Sequence, residues 1–473
     1  MLPVVLPVTS HTKYVGVGTT FVVVQGQKEN GINYILTALN QGATTIVLEE
    51  EQILSDDVAY AIAHHGAEVI YVENARKALA QLSAQAHDYP ARKLKIIAVT
   101  GTKGKTTTSW MLAHIFKHAG YKTALLSTVR NRILDTELAT ELTTPQPDYI
   151  HAFLNTCVEQ GVEWVIMEVA AQATSLHRTE GIEFDGALFT NFSPTHAEFY
   201  AQVDDYFAAK HQILKQVKSG SPIILNGDDE RVKQLSSQFE NAQCIYKDDE
   251  EENAITYRIL SSLKGLDWWY SSQGQQEVFH SPHLIGSFNV FNASAATALA
   301  QHKGIALPVI KQALIDFAGV PGRLEAYALP NGARCYIDYA HTPSSFAAVL
   351  SLLREVTDNL IVVFGAGGDR DRTMRPELGA IASAIANYIV LTTDNPRSEQ
   401  VEDITADILA GVDPQHTYKI CVEYDREAAI KKAYSLSTER AIVVLLGKGP
   451  DEYQIIGTQK TYFSERAIIK QLS

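Results

Sequence analysis

The chain has 473 residues, 46% hydrophobic and 20% charged, the balance of a globular protein of about three domains rather than of a disordered or fibrous one. A formal net charge of −14 argues against a nucleic-acid backbone as partner, and no apolar run reaches the roughly 18–20 residues of a membrane span. Cys157, Cys244, Cys335 and Cys421 stand far apart, without metal-ligand spacing, as expected of reduced thiols in a cytoplasm.

The opening Met1–Pro7 is apolar but has two prolines and no basic flank, so it reads as a strand or a leading segment, not a signal peptide. Up to residue 90 the pattern is a small α/β unit, with strands at 21–24 and 44–48 and a helix over 33–41, until Tyr89-Pro90 interrupts it. Lys95–Thr100 is a continuous apolar strand of the kind buried in a parallel sheet. A Gly-rich turn follows, then a helix from about Thr106 to Ala119 and strands at 162–169, 186–190 and 222–226, in a second α/β domain ending near Gly322. The run Lys247–Glu252 reads as a solvated loop. Beyond it, strands at 334–337, 360–364, 387–392 and 441–446 each enter a polar loop marked by Gly or Pro. Those loops are Asp338–Pro343, Gly365–Asp371, Asp394–Arg397 and Gly447–Glu452. Ligands of open α/β sheets bind outside the carboxyl ends of strands, so four such loops imply a ligand face.

The strongest single signal is Thr100-Gly101-Thr102-Lys103-Gly104-Lys105-Thr106-Thr107. Its glycines let backbone N–H groups turn inward around phosphate oxygens, and the helix it opens adds its positive end. Lys105 is placed to reach the β- and γ-phosphates, and the Thr106 hydroxyl to ligate Mg²⁺. The loop is shorter than GxxxxGK[ST], with Val99 where the first glycine would fall.

This short loop resembles that of the Mur ligase family, and further motifs match in order along nearly the whole chain. Thr143-Thr144-Pro145 resembles the family's TTP, Glu168 the Glu of EVSSH, and Asn191–His196 its N-[LF]-[ST]-x-D-H. Lys210 falls where the family carries a carbamylated lysine, Asn289 and Asn292 match its asparagine motif, and Val320–Glu325 resembles VPGRME. DYAHTP, GGDRD, DNPR and GKGxxxYQ complete the set.

The resemblance implies an α/β protein of three domains. These are a small N-terminal acceptor-binding domain (1–90), a central P-loop-type parallel-sheet ATP-binding domain (91–323), and a Rossmann-like amino-acid-binding domain (324–473). It further implies a monomeric, cytoplasmic, ATP- and Mg²⁺-dependent ligase acting on small molecules, with no nucleic-acid or membrane partner. Such an enzyme activates a carboxylate as an acyl-phosphate for attack by an amine. Lys105, Glu168, His196 and Lys210 would be catalytic. Thr106 and Glu168 would hold one Mg²⁺; His196 and the Lys210 carbamate would hold a second. Residues Gly101 to Thr107, with Asn289, Asn292, Arg323 and Asp338, would bind ATP.

Within the family the motifs resemble those of the branch that adds a third residue to a UDP-N-acetylmuramoyl-dipeptide. Arg397 in the DNPR loop implies an amino diacid such as meso-diaminopimelate, because a guanidinium can grip a second carboxylate in bidentate fashion. Arg370, Asp394, Asn395, Gly447 and Asp451 would share that pocket, and Ser10, Thr143, Thr144 and Arg178 would contact the acceptor. The chain departs from the family at Ala170-Ala171-Gln172 in place of Ser-Ser-His, around Ser10–Lys13 in place of DSR, at Thr195–Tyr200 in place of DHLDxH, and at Pro450-Asp451 in place of His-Glu. These departures leave two other expectations: a Mur-type ligase conjugating an amino acid to another carboxylate, in a secondary metabolite or a folate, and a catalytically silent nucleotide-binding relative.

Overall fold

A computed structural model describes residues 2–26, 29–140, 142–194, 199–200, 202–248 and 254–472. The chain forms two compact units: Met1–Arg258 with Trp269–Val278 and Phe291–Leu314, and Ile259–Trp268 with Phe279–Val290 and Ile315–Ser473.

The first unit opens with four parallel strands, β1 (Val8–Thr9), β2 (Thr20–Val22), β3 (Thr45–Glu49) and β4 (Glu68–Val72), in that spatial order. Side chains alternate across a strand. Phe21, Ile46 and Leu48 therefore pack on Ile35 and Leu39, while Val22 and Val47 pack on Ala75 and Leu79. The helix expected over 33–41 is a 3₁₀ turn, Gly31–Tyr34, leading into the helix Ile35–Asn40.

Asp88 and Tyr89, both with φ near +50°, then turn the chain into a second sheet. Its strands are β5 (Lys95–Thr100), β6 (Thr123–Leu126), β7 (Asn131–Ile133), β8 (Thr136–Leu138), β9 (Trp164–Glu168), β10 (Gly186–Phe189), β11 (Ile223–Asn226) and β12 (Ala242–Lys247). Their order is β12-β11-β10-β5-β9-β6-β7-β8, all running the same way except β7, which pairs antiparallel with both β6 and β8. Neighbours on both edges and helices on both faces bury β5 from Ile96 to Thr100, which is why its sequence is an unbroken apolar run. Register pairs Val99 with Glu168 and Thr100 with Phe189, so the loops after β5, β9 and β10 leave the same edge. Lys247 closes β12 rather than opening a loop, and Asp249–Glu252 lie outside the described residues. Three further strands, β13 (Ile255–Ser261), β14 (Leu266–Ser272) and β15 (Gln275–Ser281), continue this sheet beyond β12 in the order β12-β13-β14-β15, with β13 parallel to β12.

The second unit is built on β16 (Glu325–Ala328), β17 (Arg334–Asp338), β18 (Leu360–Phe364), β19 (Tyr388–Leu391), β20 (Ile420–Val422) and β21 (Ile442–Leu446). They lie in the order β16-β17-β21-β18-β19-β20, parallel except for β16. Helices Pro343–Val356, Met374–Ile385 and Val401–Leu409 cover one face, and Arg426–Leu436 and Glu465–Leu472 the other. All four Gly- or Pro-marked loops leave the carboxyl ends of the parallel strands β17, β18, β19 and β21, as the sequence pattern implies. A hairpin, β22 (Tyr453–Ile456) and β23 (Gln459–Tyr462), follows the last of them. No helix among the described residues is long and apolar enough to cross a membrane.

Candidate active site

The phosphate loop runs from β5 into the helix Lys105–His118. Gly101 has φ +135°, and a Cβ there would lie 2.0 Å from the Thr190 hydroxyl; Gly104 has φ +84°, and its Cβ would lie 2.6 Å from Asn292 Oδ1. Both positions require glycine, for conformation and for space. Asn191, two residues beyond β10, braces the loop. Its Oδ1 accepts from Lys103 N–H at 2.9 Å, its Nδ2 donates to Lys103 O at 3.0 Å, and its own carbonyl accepts from Thr102 N–H at 2.8 Å. Lys105 Nζ folds over the turn and donates to Gly101 O at 2.9 Å and Thr102 O at 3.1 Å.

Glu168, fully buried at the end of β9, faces that loop. Its carboxylate accepts from the Thr106 hydroxyl at 3.1 Å, from Thr128 Oγ1 at 2.9 Å, from Thr128 N–H at 3.1 Å, and from the Ser127 hydroxyl. All four donors are neutral, so none of them balances the buried charge. A hard cation held between the Glu168 carboxylate and the Thr106 hydroxyl would balance it, and these oxygen ligands suit Mg²⁺.

Lys210, on the helix Val203–His211, is 2% exposed. Its Nζ donates to Gly101 O at 2.7 Å and lies 4.7 Å from the centre of the Tyr206 ring. Two lysines thus meet on one carbonyl oxygen, and burial, with Lys105 beside it, pushes Lys210 well below an ordinary lysine. A neutral amine is the form that adds CO₂, so the environment fits a carbamate. His196 lies outside the described residues. Among the described residues no three His, Cys, Asp or Glu side chains form a metal cluster.

The expected acceptor residues gather beside Glu168. Thr143 Oγ1 lies 3.1 Å from Thr128 Oγ1, whose proton goes to Glu168, and Thr144 Oγ1 donates to Glu168 O at 2.9 Å. Arg178 Nη1 donates to Thr144 O at 2.7 Å. Burial, and then Arg76 nearby, bring that guanidinium down to about 10. Asp148, just beyond Thr144, accepts from Thr9 Oγ1 at 2.6 Å and from Ser10 N–H at 3.3 Å, which draws Ser10 into the same neighbourhood.

In the second unit, Asp338 ends β17, and its buried carboxylate accepts from Leu324 N–H at 2.7 Å and Ala340 N–H at 2.8 Å. Burial raises its pKa against the pull of Arg323, whose guanidinium lies 4.8 Å from the centre of the Tyr339 ring. Arg323 and Asn289 also line a cavity of about 360 Å³ with Lys264, His283 and Tyr336. The DNPR loop meets the GGDRD loop where Arg397 Nη1 donates to Gly368 O at 2.7 Å, and a Cβ on Gly367 would touch both Arg397 and Arg370. Gly447, at φ +106°, leaves room for Asp394, whose Oδ2 is 2.7 Å from where a Cβ would be. Sequence reasoning missed Lys448 of GKGP, which is fully buried between Asp394 and Asn395. It also assigned no role to Asn191, Ser127 or Thr128. All three carry the same faint signal, a polar residue shortly after an apolar strand: Asn191 follows Gly186–Phe189, and Ser127 and Thr128 follow Thr123–Leu126.

A phosphate loop facing a buried carboxylate, with a second α/β unit displaying charged loops, defines a nucleotide-dependent enzyme. The Mur ligase middle domain is matched over residues 99–300 and the glutamate ligase domain of Mur ligases over 322–449. The chain is 33% identical over 453 residues to the UDP-N-acetylmuramoyl-L-alanyl-D-glutamate–2,6-diaminopimelate ligase of Caldanaerobacter subterraneus subsp. tengcongensis, covering 96% of this chain and 91% of the relative. With the enzyme of that name from Aquifex aeolicus the identity is 35% over 466 residues, covering 98% and 93%. A solved structure of a ligase of that name superposes with a TM-score of 0.66 at 27% identity, covering 99% of this chain and 94% of the other. The chain belongs to the Mur ligase family, and it is an ATP-dependent, ADP-forming ligase.

Proposed function

We propose that the protein adds meso-diaminopimelate, or another amino diacid, to the D-glutamyl carboxylate of UDP-N-acetylmuramoyl-L-Ala-D-Glu in peptidoglycan precursor synthesis. The observation carrying this reading is Arg397 in the DNPR loop at the carboxyl edge of the second sheet, in a chain whose relatives are named for diaminopimelate ligation. A carboxylate oxygen of the acceptor attacks the γ-phosphorus of ATP and ADP departs. The amine then attacks the acyl carbon, phosphate leaves, and the ammonium proton passes to solvent. The protein's share is positioning and charge neutralisation. Backbone N–H groups of Gly101 to Thr107 and the Lys105 ammonium hold the phosphates, while Asn289, Asn292, Arg323 and Asp338 hold the nucleoside end.

Thr106 and Glu168 would ligate one Mg²⁺, and His196 with the Lys210 carbamate a second; the ions supply positive charge at the γ-phosphate. Ser10, Thr143, Thr144 and Arg178 contact the acceptor, and Arg370, Asp394, Asn395, Arg397, Gly447 and Asp451 the amino acid. Three domains, 1–90, 91–323 and 324–473, acting as a cytoplasmic monomer, complete the reading.

The test is ADP release and product mass with ATP, Mg²⁺ and UDP-N-acetylmuramoyl-L-Ala-D-Glu against meso-diaminopimelate, L-lysine and L-glutamate. A tripeptide product carrying diaminopimelate is expected. Nucleotide binding without turnover would overturn the acceptor assignment and favour the second reading, a ligase for another carboxylate. Ala170-Ala171-Gln172 in place of Ser-Ser-His motivates that alternative.

A further inference from the structure

The four charged loops of the second unit need something to fix their spacing, because a pocket that reads two charges on one amino acid fails when its own charges drift. Two loops carry the opposite signs: Asp394–Arg397 brings Arg397, and Gly447–Glu452 brings Asp451. Between them lies Lys448, with no exposed surface. Its ammonium is 3.3 Å from Asp394 Oδ1 and 3.2 Å from Asn395 Oδ1. The rings of Tyr453 and Phe463 are 5.9 and 5.8 Å from it, so it is enclosed by π faces as well as by oxygen acceptors.

Each loop is fastened again on its far side. Asn395 Oδ1 also accepts from Ile455 N–H at 2.9 Å, and Asp394 O accepts from Gln454 Nε2 at 3.0 Å. Arg466 Nη2 donates to Gly449 O at 3.2 Å while it grips Glu325, whose carboxylate accepts from Gly322 N–H at 2.7 Å. Gly322 in turn packs so tightly on Gly449 and Pro450 that a Cβ would lie 2.3 Å from either. Lys448 is the only one of these fasteners whose charge is spent wholly inside the protein, on a carboxylate that belongs to the candidate pocket.

We propose that Lys448 is a positioning residue for amino-acid selection, cross-linking the DNPR and GKGP loops so that the Arg397 guanidinium and the Asp451 carboxylate keep the spacing of the substrate's two charged ends. The inference rests on the reading of these loops as the amino-acid site. Lys448 touches no substrate; it acts through Asp394 and Asn395. Removing its charge strands a buried carboxylate, which must take up water or turn outward, and either response moves Arg397 on the same short loop.

The experiment uses the full chain carrying K448M, with D394N/K448M as a second variant that removes both buried charges and so protects against simple misfolding. Hydrogen–deuterium exchange is expected to rise in K448M at Asp394–Arg397 and Gly447–Glu452 and to stay at the wild-type level at Gly101–Thr107. The KM for the amino acid is expected to rise at least tenfold with the KM for ATP within twofold. The double variant should recover thermal stability while its amino-acid KM stays raised. Unchanged exchange in the two loops, or a kcat that falls with both KM values unchanged, would overturn the proposal, since a purely structural lysine would lower only the active fraction. A wild type that turns over none of the amino acids would refute the substrate reading, and exchange alone would then decide the role of Lys448.

Discussion

Replacing Glu168 with Gln separates the carboxylate's chemical role from its structural one. On the Oε1 side the partners are Thr128 N–H, which can only donate, and the Ser127 hydroxyl; on the Oε2 side they are the hydroxyls of Thr106 and Thr128. The Gln carbonyl can take the first position and its NH₂ the second, because a hydroxyl can rotate from donor to acceptor. All four contacts survive, and a buried charge with four neutral donors disappears. E168Q is therefore expected to melt within a few degrees of wild type. The lost negative charge is the one proposed to hold a cation beside the phosphates. Removing a preorganised electrostatic contact of this kind costs about 3–4 kcal/mol of transition-state stabilisation, or roughly 10²–10³ in kcat. Coupled ADP release across a Mg²⁺ titration, alongside a melting curve, reads both quantities. A variant that melts normally and retains the wild-type rate and Mg²⁺ dependence would refute the role assigned to Glu168.

Gly101→Ala combines backbone strain of about 1–3 kcal/mol with a Cβ 2.0 Å from the Thr190 hydroxyl. It should weaken ADP binding at least tenfold in a fluorescence titration, whereas Gly66→Ala, at φ +67° in open space, should leave it unchanged. Arg397→Ala should raise the KM for a diacid substrate by roughly 10–100-fold, the worth of a charge-assisted hydrogen bond, and should leave the turnover of L-lysine unaffected. Glu465→Leu strands Arg426 in the interior, where the pair is 2.8 Å apart and no more than 1% exposed. It should lower the unfolding free energy by about 3–5 kcal/mol, seen as a lower urea midpoint, with partial recovery in R426L/E465L. His151 is buried, its ring nitrogens have no hydrogen-bond partner among the described residues, and burial, then His87, bring it down to about 4. Its folded value lies below the unfolded one, so its share of stability is complete above pH 6.5 and is lost as pH falls toward 4, about 3 kcal/mol in all. His151→Leu should flatten that acid limb in urea titrations.

Much of this architecture is legible in the chain because the pattern is local. The runs Ile96–Val99, Leu360–Phe364 and Ile442–Leu446 announce doubly covered parallel strands, since burial on both faces leaves no polar alternation to hide them. The phosphate loop is equally legible, because Gly101 and Gly104 need conformations and clearances that other residues lack. In Leu266–Ser272 alternate residues are buried, yet Trp268 and Tyr270 stand among polar neighbours that do not resemble a core strand until the sheet is formed. Lys448 and Arg426 resemble ordinary polar residues on the page.

The sequence by itself determined the buried parallel strands such as Lys95–Thr100, Leu360–Phe364 and Ile442–Leu446, the phosphate loop and the family, because each is written in the spacing of neighbouring residues. Tertiary structure alone decided which polar groups meet. Glu168 reaches Thr106 across 62 positions of sequence, Lys210 reaches Gly101 across 109, and Lys448 reaches Asp394 across 54. Such pairings depend on strand register and helix docking, and these are fixed only when the whole core closes.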